Sequence, residues 1–305
     1  MTAIGEMERK RGRKMKYAEW NGRRFEVENG QDQLLSKLYT THMGRFLLKP
    51  LTCRMVSRLG GKLLDTSISR IAIRPFIRAN GIVMDDYREK KYRSYNDFFT
   101  RQIKSGKRPF SNEPYDFISP CDGKVSVYSI SEHTNFKVKH TWYSVRTLLR
   151  NPKLAARYKG GICVVFRLTV DDYHRYCYVD DGHKGNNHMV PGIFHTVNPI
   201  ANDFVPVYKE NSRVYTTLYT EHFGPVVQVE VGALMVGRIH NYRGKCEIRK
   251  GVEKGRFEFG GSTIVLLIQK DRVKMDSRLW ENTRDGYETI VKMGETIGKA
   301  CDNKK

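Results

Sequence analysis

The stretch Phe257–Ile268 constrains the fold of this chain more than any other part of the sequence. Phe257 and Phe259 alternate with polar residues, which is typical of a half-buried strand. From 264 to 268 the chain is continuously apolar and partly β-branched, as in a strand whose two faces are both buried. The sequence therefore predicts a central strand that is interrupted near its beginning.

The interruption consists of Gly260 and Gly261, which directly precede Ser262 and Thr263. Glycine inside a strand often marks a bulge, a bend or a close backbone approach. If the backbone bends here, the hydroxyl of Ser262 can approach the carbonyl of Gly261. The alternative is a β-bulge without chemistry, and the Gly-Gly-Ser-Thr tetrapeptide taken alone favours that alternative.

The charge of the chain indicates an anionic partner. Lys and Arg total 54 against 33 Asp and Glu, which gives a formal net charge of +21. Nucleic acid, an acidic membrane surface and an anionic substrate all fit such a charge. No recognisable nucleic-acid module accompanies it, so nucleic acid is the weakest of the three.

Two further features of the sequence bear on its location. The longest apolar runs are about five residues, whereas a membrane-spanning helix needs about twenty, so the chain is not expected to cross a bilayer. The six cysteines are dispersed without a C-x-x-C pair. We therefore expect a reduced, cytosolic protein with neither a disulfide framework nor a metal site.

The N-terminal third divides into a basic leader, residues 1–30, and an amphipathic helical region, residues 31–94. Leucines and isoleucines recur at three- and four-residue spacings in the second segment. Between Arg45 and Arg78 there are eight Lys or Arg and one acidic residue, Asp65. Such helices can lie in a lipid head-group layer, or they can pack their apolar face on the protein with a solvated basic face. The segment alone does not decide between these alternatives.

Residues 95–305 have the composition of strands and turns. The predicted fold is α+β, with N-terminal amphipathic helices followed by a largely antiparallel, sandwich-like or barrel-like catalytic domain. Within that domain, Asp122 lies in a turn, and His174 follows a predicted strand that ends at Val170. Together with Ser262, they could supply a nucleophile, a base and an orienting carboxylate. Composition alone makes this a weak signal, because any long chain contains many such triples.

A series of short motifs in chain order gives a more specific signal. They are Phe98-Phe99-x-Arg101 with Arg108-Pro109, Ser119-Pro120-x-Asp122-Gly123, Asp172-Tyr173-His174-Arg175, Pro191-Gly192 with Val197-Asn198-Pro199, Glu210-Asn211-x-Arg213-Val214, Val231-Gly232-Ala233, Lys250-Gly251 and Phe257-x-Phe259-Gly260-Gly261-Ser262-Thr263. In these motifs, which are spread over most of the chain from Tyr95 onward, the chain resembles the pyruvoyl-dependent phosphatidylserine decarboxylases.

The resemblance implies a self-processing enzyme, a zymogen. Ser262 would attack the carbonyl of Gly261, and elimination and hydrolysis would convert it to an N-terminal pyruvoyl group. The products would be a β subunit, residues 1–261, and an α subunit, residues 262–305. The pyruvoyl cofactor would form a Schiff base with the substrate amine and act as an electron sink. The resemblance further implies that His174 protonates the resulting carbanion and that Asp122 belongs to the processing triad.

The chain departs from the family pattern at Cys177. That pattern is Tyr-His-Arg-x-His, whose second histidine is the usual processing base. A neutral thiol is a poor base, although a thiolate of lowered pKa can act as one. Cys177 could take over the role, another histidine could (His183, His188 or His195), or processing could be slow. Cys177 could also be a small apolar packing residue. We expect His174 and Cys177 to act in different steps, Cys177 in cleavage and His174 in decarboxylation.

The function predicted from the sequence is therefore that of a phosphatidylserine decarboxylase of phospholipid biosynthesis, which yields phosphatidylethanolamine and carbon dioxide. Its expected place is the cytoplasmic face of the cell membrane, as a peripheral protein. Its expected partner is phosphatidylserine in an anionic membrane, with no nucleic acid, and a homodimer is one assembly open to it. The competing hypothesis is a processing-deficient, basic membrane-binding homologue without activity.

Overall fold

The computed structural model describes residues 15–27, 54–138, 141–192, 210–232, 238–258 and 262–301, apart from the side chains of 54–58. The strands are β1 (Met15–Ala18), β2 (Arg24–Val27), β3 (Asp116–Ile118), β4 (Gly123–Ser129), β5 (Asn135–Val138), β6 (Thr141–Ser144), β7 (Ile162–Leu168), β8 (Arg175–Cys177), β9 (Gly182–Lys184), β10 (His188–Val190), β11 (Arg213–Thr220), β12 (Gly224–Val231), β13 (Ile239–Asn241), β14 (Cys246–Ile248), β15 (Glu253–Phe257), β16 (Ser262–Ile268), β17 (Val273–Met275), β18 (Glu288–Val291) and β19 (Thr296–Ala300). The α-helices are α1 (Arg54–Leu64), α2 (Ile73–Ala79), α3 (Tyr95–Phe99), α4 (Val145–Leu149), α5 (Pro152–Ala156) and α6 (Ser277–Arg284), with 3-10 turns at Ser67–Ala72 and Met84–Asp86.

The strands form one large sheet and three small ones. The large sheet has the order β14-β9-β11-β12-β16-β7-β4-β18-β1-β2, with β10 also paired to β11. The small sheets are β13-β15-β8, β17-β19-β3 and β5-β6. Nearly all pairs are antiparallel, and the parallel pair β1 with β18 is the exception among them. The predicted α+β class and the predicted antiparallel sheets are confirmed.

The strand that begins at Ser262 lies at the centre of the large sheet. All seven residues of β16 are buried, as its continuous apolar sequence predicts. It pairs with β12 on one side and with β7 on the other, in a register that sets Ser262 opposite Leu168 and Ile268 opposite Ile162. A strand in this position has little freedom to slip, because a shift of one residue would turn its buried side chains to the other face.

Three chain segments meet at one edge of this sheet. Strand β4 begins at Gly123, β7 ends at Leu168 and β16 begins at Ser262. Since β4 and β16 both run antiparallel to β7, these three strand ends lie side by side. Asp122, the loop that follows β7 and Ser262 are therefore brought to the same edge.

The interrupted strand predicted over 257–268 is in fact two strands that belong to different sheets. Strand β15 pairs with β8 and β13, whereas β16 belongs to the large sheet. Gly260 and Gly261, where the interruption was predicted, lie outside the described residues. A buried ion pair joins the two sheets, with 2.6 Å between Nζ of Lys254 in β15 and Oε1 of Glu230 in β12.

The N-terminal segments differ in part from the sequence prediction. Residues 15–27, assigned to a basic leader, form the hairpin β1-β2, which joins the large sheet through β18. Pro75 lies in the first turn of α2, where the helix has no acceptor for a backbone N–H, so the proline does not interrupt the helix.

The helical region shares a small core with α3 of the following domain. Ile73 packs in this cluster with Tyr95, Phe98 and Phe99. Within the described part of the chain, no helix is both long and apolar enough to span a bilayer.

Candidate active site

Ser262 and His174 form a hydrogen-bonded pair at the sheet edge. Ser262 is the first residue of β16, and His174 ends the loop between β7 and β8. Both side chains are buried, and the hydroxyl oxygen of Ser262 lies 3.2 Å from Nδ1 of His174. The backbone N–H of Phe257 donates to the carbonyl of His174 at 2.9 Å, which fixes the end of the loop against β15. The predicted nucleophile and the predicted histidine are thus in direct contact.

The contact of the other ring nitrogen of His174, Nε2, shows which of the two nitrogens carries the proton. Nε2 lies 3.0 Å from the carbonyl oxygen of Thr169. A carbonyl oxygen can only accept a hydrogen bond, so Nε2 carries the proton and donates it. In the neutral ring Nδ1 then keeps its lone pair and accepts from the hydroxyl of Ser262. This is the arrangement of a general base beside a serine nucleophile.

The surroundings of His174 keep its ring neutral. Burial disfavours the imidazolium form and lowers the pKa of His174 from 6.5 to about 4, although the nearby Asp172 acts in the opposite direction. The ring of Phe99 covers the imidazole, with 4.1 Å between the ring centroids. At neutral pH the lone pair on Nδ1 is therefore available to take a proton from Ser262.

A buried ion pair holds the loop that carries His174. The carboxylate of Asp172 accepts from Nζ of Lys124 at 2.7 Å, and from the backbone N–H and hydroxyl of Thr169 at 2.7 and 2.9 Å. Burial by itself would raise the pKa of Asp172, but Lys124 and Thr169 outweigh it and lower the pKa to about 2. The carboxylate thus fixes Thr169, whose carbonyl in turn orients the imidazole.

Lys124 and Thr169 were not among the site residues predicted from the sequence. A lysine inside an otherwise buried strand such as β4 was the available signal, because lysine is rarely buried unless it is paired. The identity of its partner depends on the pairing of β4 with β7 and could not be read from the local sequence.

Asp122 lies at the same edge but contacts different groups. Its two carboxylate oxygens accept from Nε and Nη2 of Arg108 at 2.9 and 2.7 Å, and Oδ1 also accepts from the backbone N–H of Met293 at 2.9 Å. In this arrangement Asp122 ties the turn before β4 to the C-terminal part of the chain. Its membership of a processing triad with Ser262 stays a prediction.

Cys177 is buried in β8, and its contacts do not include the serine. Its thiol lies 3.9 Å from the carbonyl oxygen of Ser119, and its backbone N–H donates to Pro120 at 2.8 Å. Burial raises the pKa of the Cys177 thiol to about 12, so the thiolate is scarce at neutral pH. These features match the small packing residue that the sequence left open, and they give no support to Cys177 as the processing base.

The alternative histidines also lie away from Ser262. His188 of β10 lies opposite Tyr215 of β11, and Tyr215 lies opposite Val229 of β12. Val229 in turn lies opposite Val265 of β16, which is three positions after Ser262. Since side chains alternate along a strand, His188 lies on the face of the sheet opposite to Ser262.

His183, opposite Tyr219 in the neighbouring strand pair, lies on the same face as His188. His195 lies outside the described residues. Among the histidines that the structure describes, His174 is therefore the one whose ring contacts Ser262.

Comparison with known proteins gives a consistent result. A family model described as phosphatidylserine decarboxylase matches residues 95–299. The phosphatidylserine decarboxylase proenzyme 2 of Clostridium acetobutylicum is 46% identical over 278 residues, which cover 91% of this chain and 94% of that protein. The phosphatidylserine decarboxylase proenzymes of Clostridium novyi and Clostridium botulinum strain Alaska E43 are 39% and 37% identical, over 88% and 90% of this chain and 92% and 95% of their own lengths.

Proposed function

The chain belongs to the phosphatidylserine decarboxylase family, and we propose that it converts phosphatidylserine to phosphatidylethanolamine and carbon dioxide after Ser262 has become a pyruvoyl group. The observation that carries this proposal is the hydrogen bond from the buried hydroxyl of Ser262 to the unprotonated Nδ1 of His174. The relatives are named as proenzymes, which fits a chain that must be processed before it acts.

The first step that we propose is cleavage of the chain before Ser262. Nδ1 of His174 takes the hydroxyl proton while Oγ of Ser262 bonds to the carbonyl carbon of Gly261. The peptide C–N bond breaks, its nitrogen receives the proton, and an ester joins the two residues. Loss of the Cα proton of Ser262 then breaks the Cβ–Oγ bond and releases Gly261 as a carboxylate. Water replaces the nitrogen of residue 262, which leaves as ammonia.

The residues around Ser262 fit the group that this chemistry would leave there. The pyruvoyl group consists of the three carbon atoms of residue 262 itself, so it needs no pocket beyond the buried place that the serine occupies. His174 adjoins that place, and the ring of Phe99 shields the imidazole from water. When formed, the group supplies a carbonyl that reacts with the substrate amine and accepts the electron pair left by carbon dioxide.

We assign His174 a second task in the mature enzyme. A primary amine reacts with a carbonyl only in its neutral form, so the ammonium group of the substrate must first lose a proton. A neutral Nδ1 beside residue 262 can accept that proton. The same atom can return it to the carbon from which carbon dioxide has left. In this account one histidine serves both cleavage and decarboxylation.

We also propose that the helical region docks on anionic membranes. Ile68 and Ile71 are 73% and 78% exposed, and Arg70 and Arg74 line an open groove beside them. Exposed isoleucines next to arginines suit a layer of acyl chains and phosphates. The proposal places the substrate's own membrane against this surface.

The activity can be tested by carbon dioxide release from phosphatidylserine in mixed micelles. We expect release by the wild-type protein and none by Ser262→Ala, which lacks the hydroxyl that must attack Gly261 before a pyruvoyl group can form. Release by Ser262→Ala at the wild-type rate would contradict a pyruvoyl mechanism at this residue.

A further inference from the structure

Arg101 is a buried cation that neither the processing step nor the proton transfers use. It follows α3 in the motif Phe98-Phe99-x-Arg101, and it is 2% exposed. Its guanidinium lies close to two aromatic rings, 4.4 Å from the ring centre of Tyr87 and 5.0 Å from that of Phe98. Both rings attract the positive charge through cation–π contacts.

Only one of the three guanidinium nitrogens has partners in the described part of the chain. Nη2 donates to the backbone carbonyls of Asp171 and Asp172, at 3.1 and 3.4 Å, and to the hydroxyl of Tyr87 at 3.3 Å. Nε and Nη1 are buried and have no hydrogen-bond partner among the described residues. No carboxylate oxygen from those residues lies within 4.0 Å of the group either.

Four other buried cations pair with a carboxylate, namely Arg108 with Asp122, Lys124 with Asp172, Arg167 with Glu288 and Lys254 with Glu230. Two more, Lys184 and Arg213, donate to amide and backbone carbonyl oxygens. All three guanidinium nitrogens of Arg213 have such a partner, unlike Nε and Nη1 of Arg101. An unpaired buried charge is costly, so cations inside proteins are normally paired or bind a ligand of opposite charge. Arg101 therefore differs from its neighbours in a way that points to an anionic ligand.

The position of Arg101 places that ligand beside the reacting groups. Asp171 and Asp172, whose carbonyls it holds, belong to the loop that carries His174. Phe99, two residues before Arg101, stacks on the imidazole. The positive charge of Arg101 also adds to the effect of burial in lowering the pKa of His174.

We propose that Arg101 binds an oxyanion of the substrate head group through a guanidinium N–H that has no other partner, on Nε or Nη1. The inference rests on the proposed function, because phosphatidylserine brings two such groups to the site, the serine carboxylate and the phosphodiester. Each presents anionic oxygens that can accept a charge-assisted hydrogen bond from a guanidinium N–H. In this position Arg101 sets the placement of the head group relative to residue 262, while Nη2 continues to hold the loop of His174.

The test compares Arg101→Gln and Arg101→Lys with a matched control, Arg88→Gln. Arg88 lies on the same segment, but it is exposed and contacts the side chain of Gln102. The cleaved fraction of each variant is measured first. The dissociation constants of glycerophosphoserine and glycerophosphoethanolamine are then measured by calorimetry on the cleaved enzyme, together with KM and kcat for phosphatidylserine.

We expect Arg101→Gln to weaken binding of glycerophosphoserine roughly tenfold or more, with a matching rise in KM and a smaller change in kcat. Arg101→Lys should recover part of the loss, because it keeps the charge but not the planar guanidinium donors. Arg88→Gln should bind like the wild type. If Arg101 binds the carboxylate, Arg101→Gln loses affinity for glycerophosphoserine only. If Arg101 binds the phosphodiester, the variant loses affinity for both compounds.

Unchanged affinity for both compounds in cleaved Arg101→Gln would overturn the proposal. If neither Arg101 variant is cleaved although both fold, Arg101 is only a structural clamp on the loop, and the proposal is equally overturned. A wild-type protein that binds glycerophosphoserine but releases no carbon dioxide would contradict the proposed function. The proposal for Arg101 would still hold in that case if the binding is lost in Arg101→Gln.

Discussion

The hydroxyl oxygen of Ser262 lies 3.2 Å from Nδ1 of His174, inside the protein and out of contact with solvent. The two residues are 88 positions apart in the chain and meet because β7 and β16 are paired so that the end of one adjoins the beginning of the other. This contact makes His174 the candidate base for processing, a role that the sequence analysis had given to Cys177.

Replacement of His174 tests this assignment. We expect His174→Ala to slow cleavage before Ser262 by roughly a hundredfold or more, because a general base typically contributes that much. His183→Ala is the matched control, since His183 is exposed and on the opposite face of the sheet. The ratio of cleaved to intact chain is followed over time by denaturing electrophoresis. Wild-type cleavage in His174→Ala would restore the division of labour that the sequence suggested.

Replacement of Cys177 should give the opposite result. We expect Cys177→Ala to be cleaved at the wild-type rate, because the thiol contacts Ser119 and its pKa is raised to about 12 by burial. The loss of one buried sulfur atom should cost about 1 kcal/mol of stability. Cleavage kinetics and the midpoint of urea unfolding measure the two effects separately. A clear loss of cleavage in a folded Cys177→Ala protein would return the base role to the thiol.

The pH dependence of cleavage follows from the lowered pKa of His174. The base form persists down to a pH of about 4, so the rate should be nearly constant at neutral pH and fall only as that value is approached. An imidazole with the ordinary value of 6.5 would already lose most of its rate at about pH 5. The measurement is the initial rate of cleavage after the unfolded precursor is refolded at a series of pH values. A midpoint near 6.5 would show that His174 is solvated or not the base.

The same lowered pKa makes His174 a contributor to pH-dependent stability. Its folded-state pKa of about 4 lies below the 6.5 of the unfolded chain, so the unfolded chain binds the proton more readily. The contribution is fully present above pH 6.5 and is lost as the pH falls toward 4. In His174→Gln, urea unfolding should show less loss of stability over this interval than in the wild type. Equal losses in the two proteins would exclude a contribution from His174.

The ion pair of Lys124 and Asp172 should be needed for cleavage although neither residue touches Ser262. Lys124→Met leaves the carboxylate buried without its cation, so the Thr169 carbonyl and the imidazole lose their fixed positions. We expect slower cleavage by roughly tenfold or more, as for changes around oriented histidines in other sites. Lys274→Met, an exposed lysine in β17, is the control. Normal cleavage in a folded Lys124→Met protein would limit the pair to a structural role.

Membrane docking can be tested by charge reversal on the exposed groove. We expect Arg70→Glu combined with Arg74→Glu to weaken co-sedimentation with phosphatidylserine-containing vesicles, because each arginine near an anionic surface contributes about 1 kcal/mol. Lys274→Glu combined with Arg284→Glu changes the net charge equally at other exposed positions. Binding should also fall with added salt. If the two double variants bind equally, the helical groove is not the docking surface.

Much of this fold and site could be predicted from the sequence, because the signals are local. The continuous apolar run of β16 predicts burial of both faces, and the motifs around Ser262 and His174 indicate the family, which is confirmed. Sheet membership is not local. That β15 and β16 belong to different sheets depends on partners far along the chain, so the sequence predicted one interrupted strand.

The roles within the site were harder to predict than its members. Which nitrogen of His174 carries the proton depends on the carbonyl of Thr169, five residues earlier. The reactivity of Cys177 depends on the burial of its thiol beside Ser119. Neither contact has a signature in the residues themselves. Arg101 illustrates the same limit, since the motif that contains it was visible but its missing counter-charge was not.

The most direct test of the account is the intact mass of the purified wild-type protein beside that of Ser262→Ala. The account predicts two chains for the wild type, the larger ending at Gly261 and the smaller beginning at residue 262 without a free α-amino group. Ser262→Ala should remain one chain. A wild-type protein that stays a single chain of 35.4 kDa, under conditions in which it is folded, would contradict the conversion of Ser262 and with it the proposed mechanism.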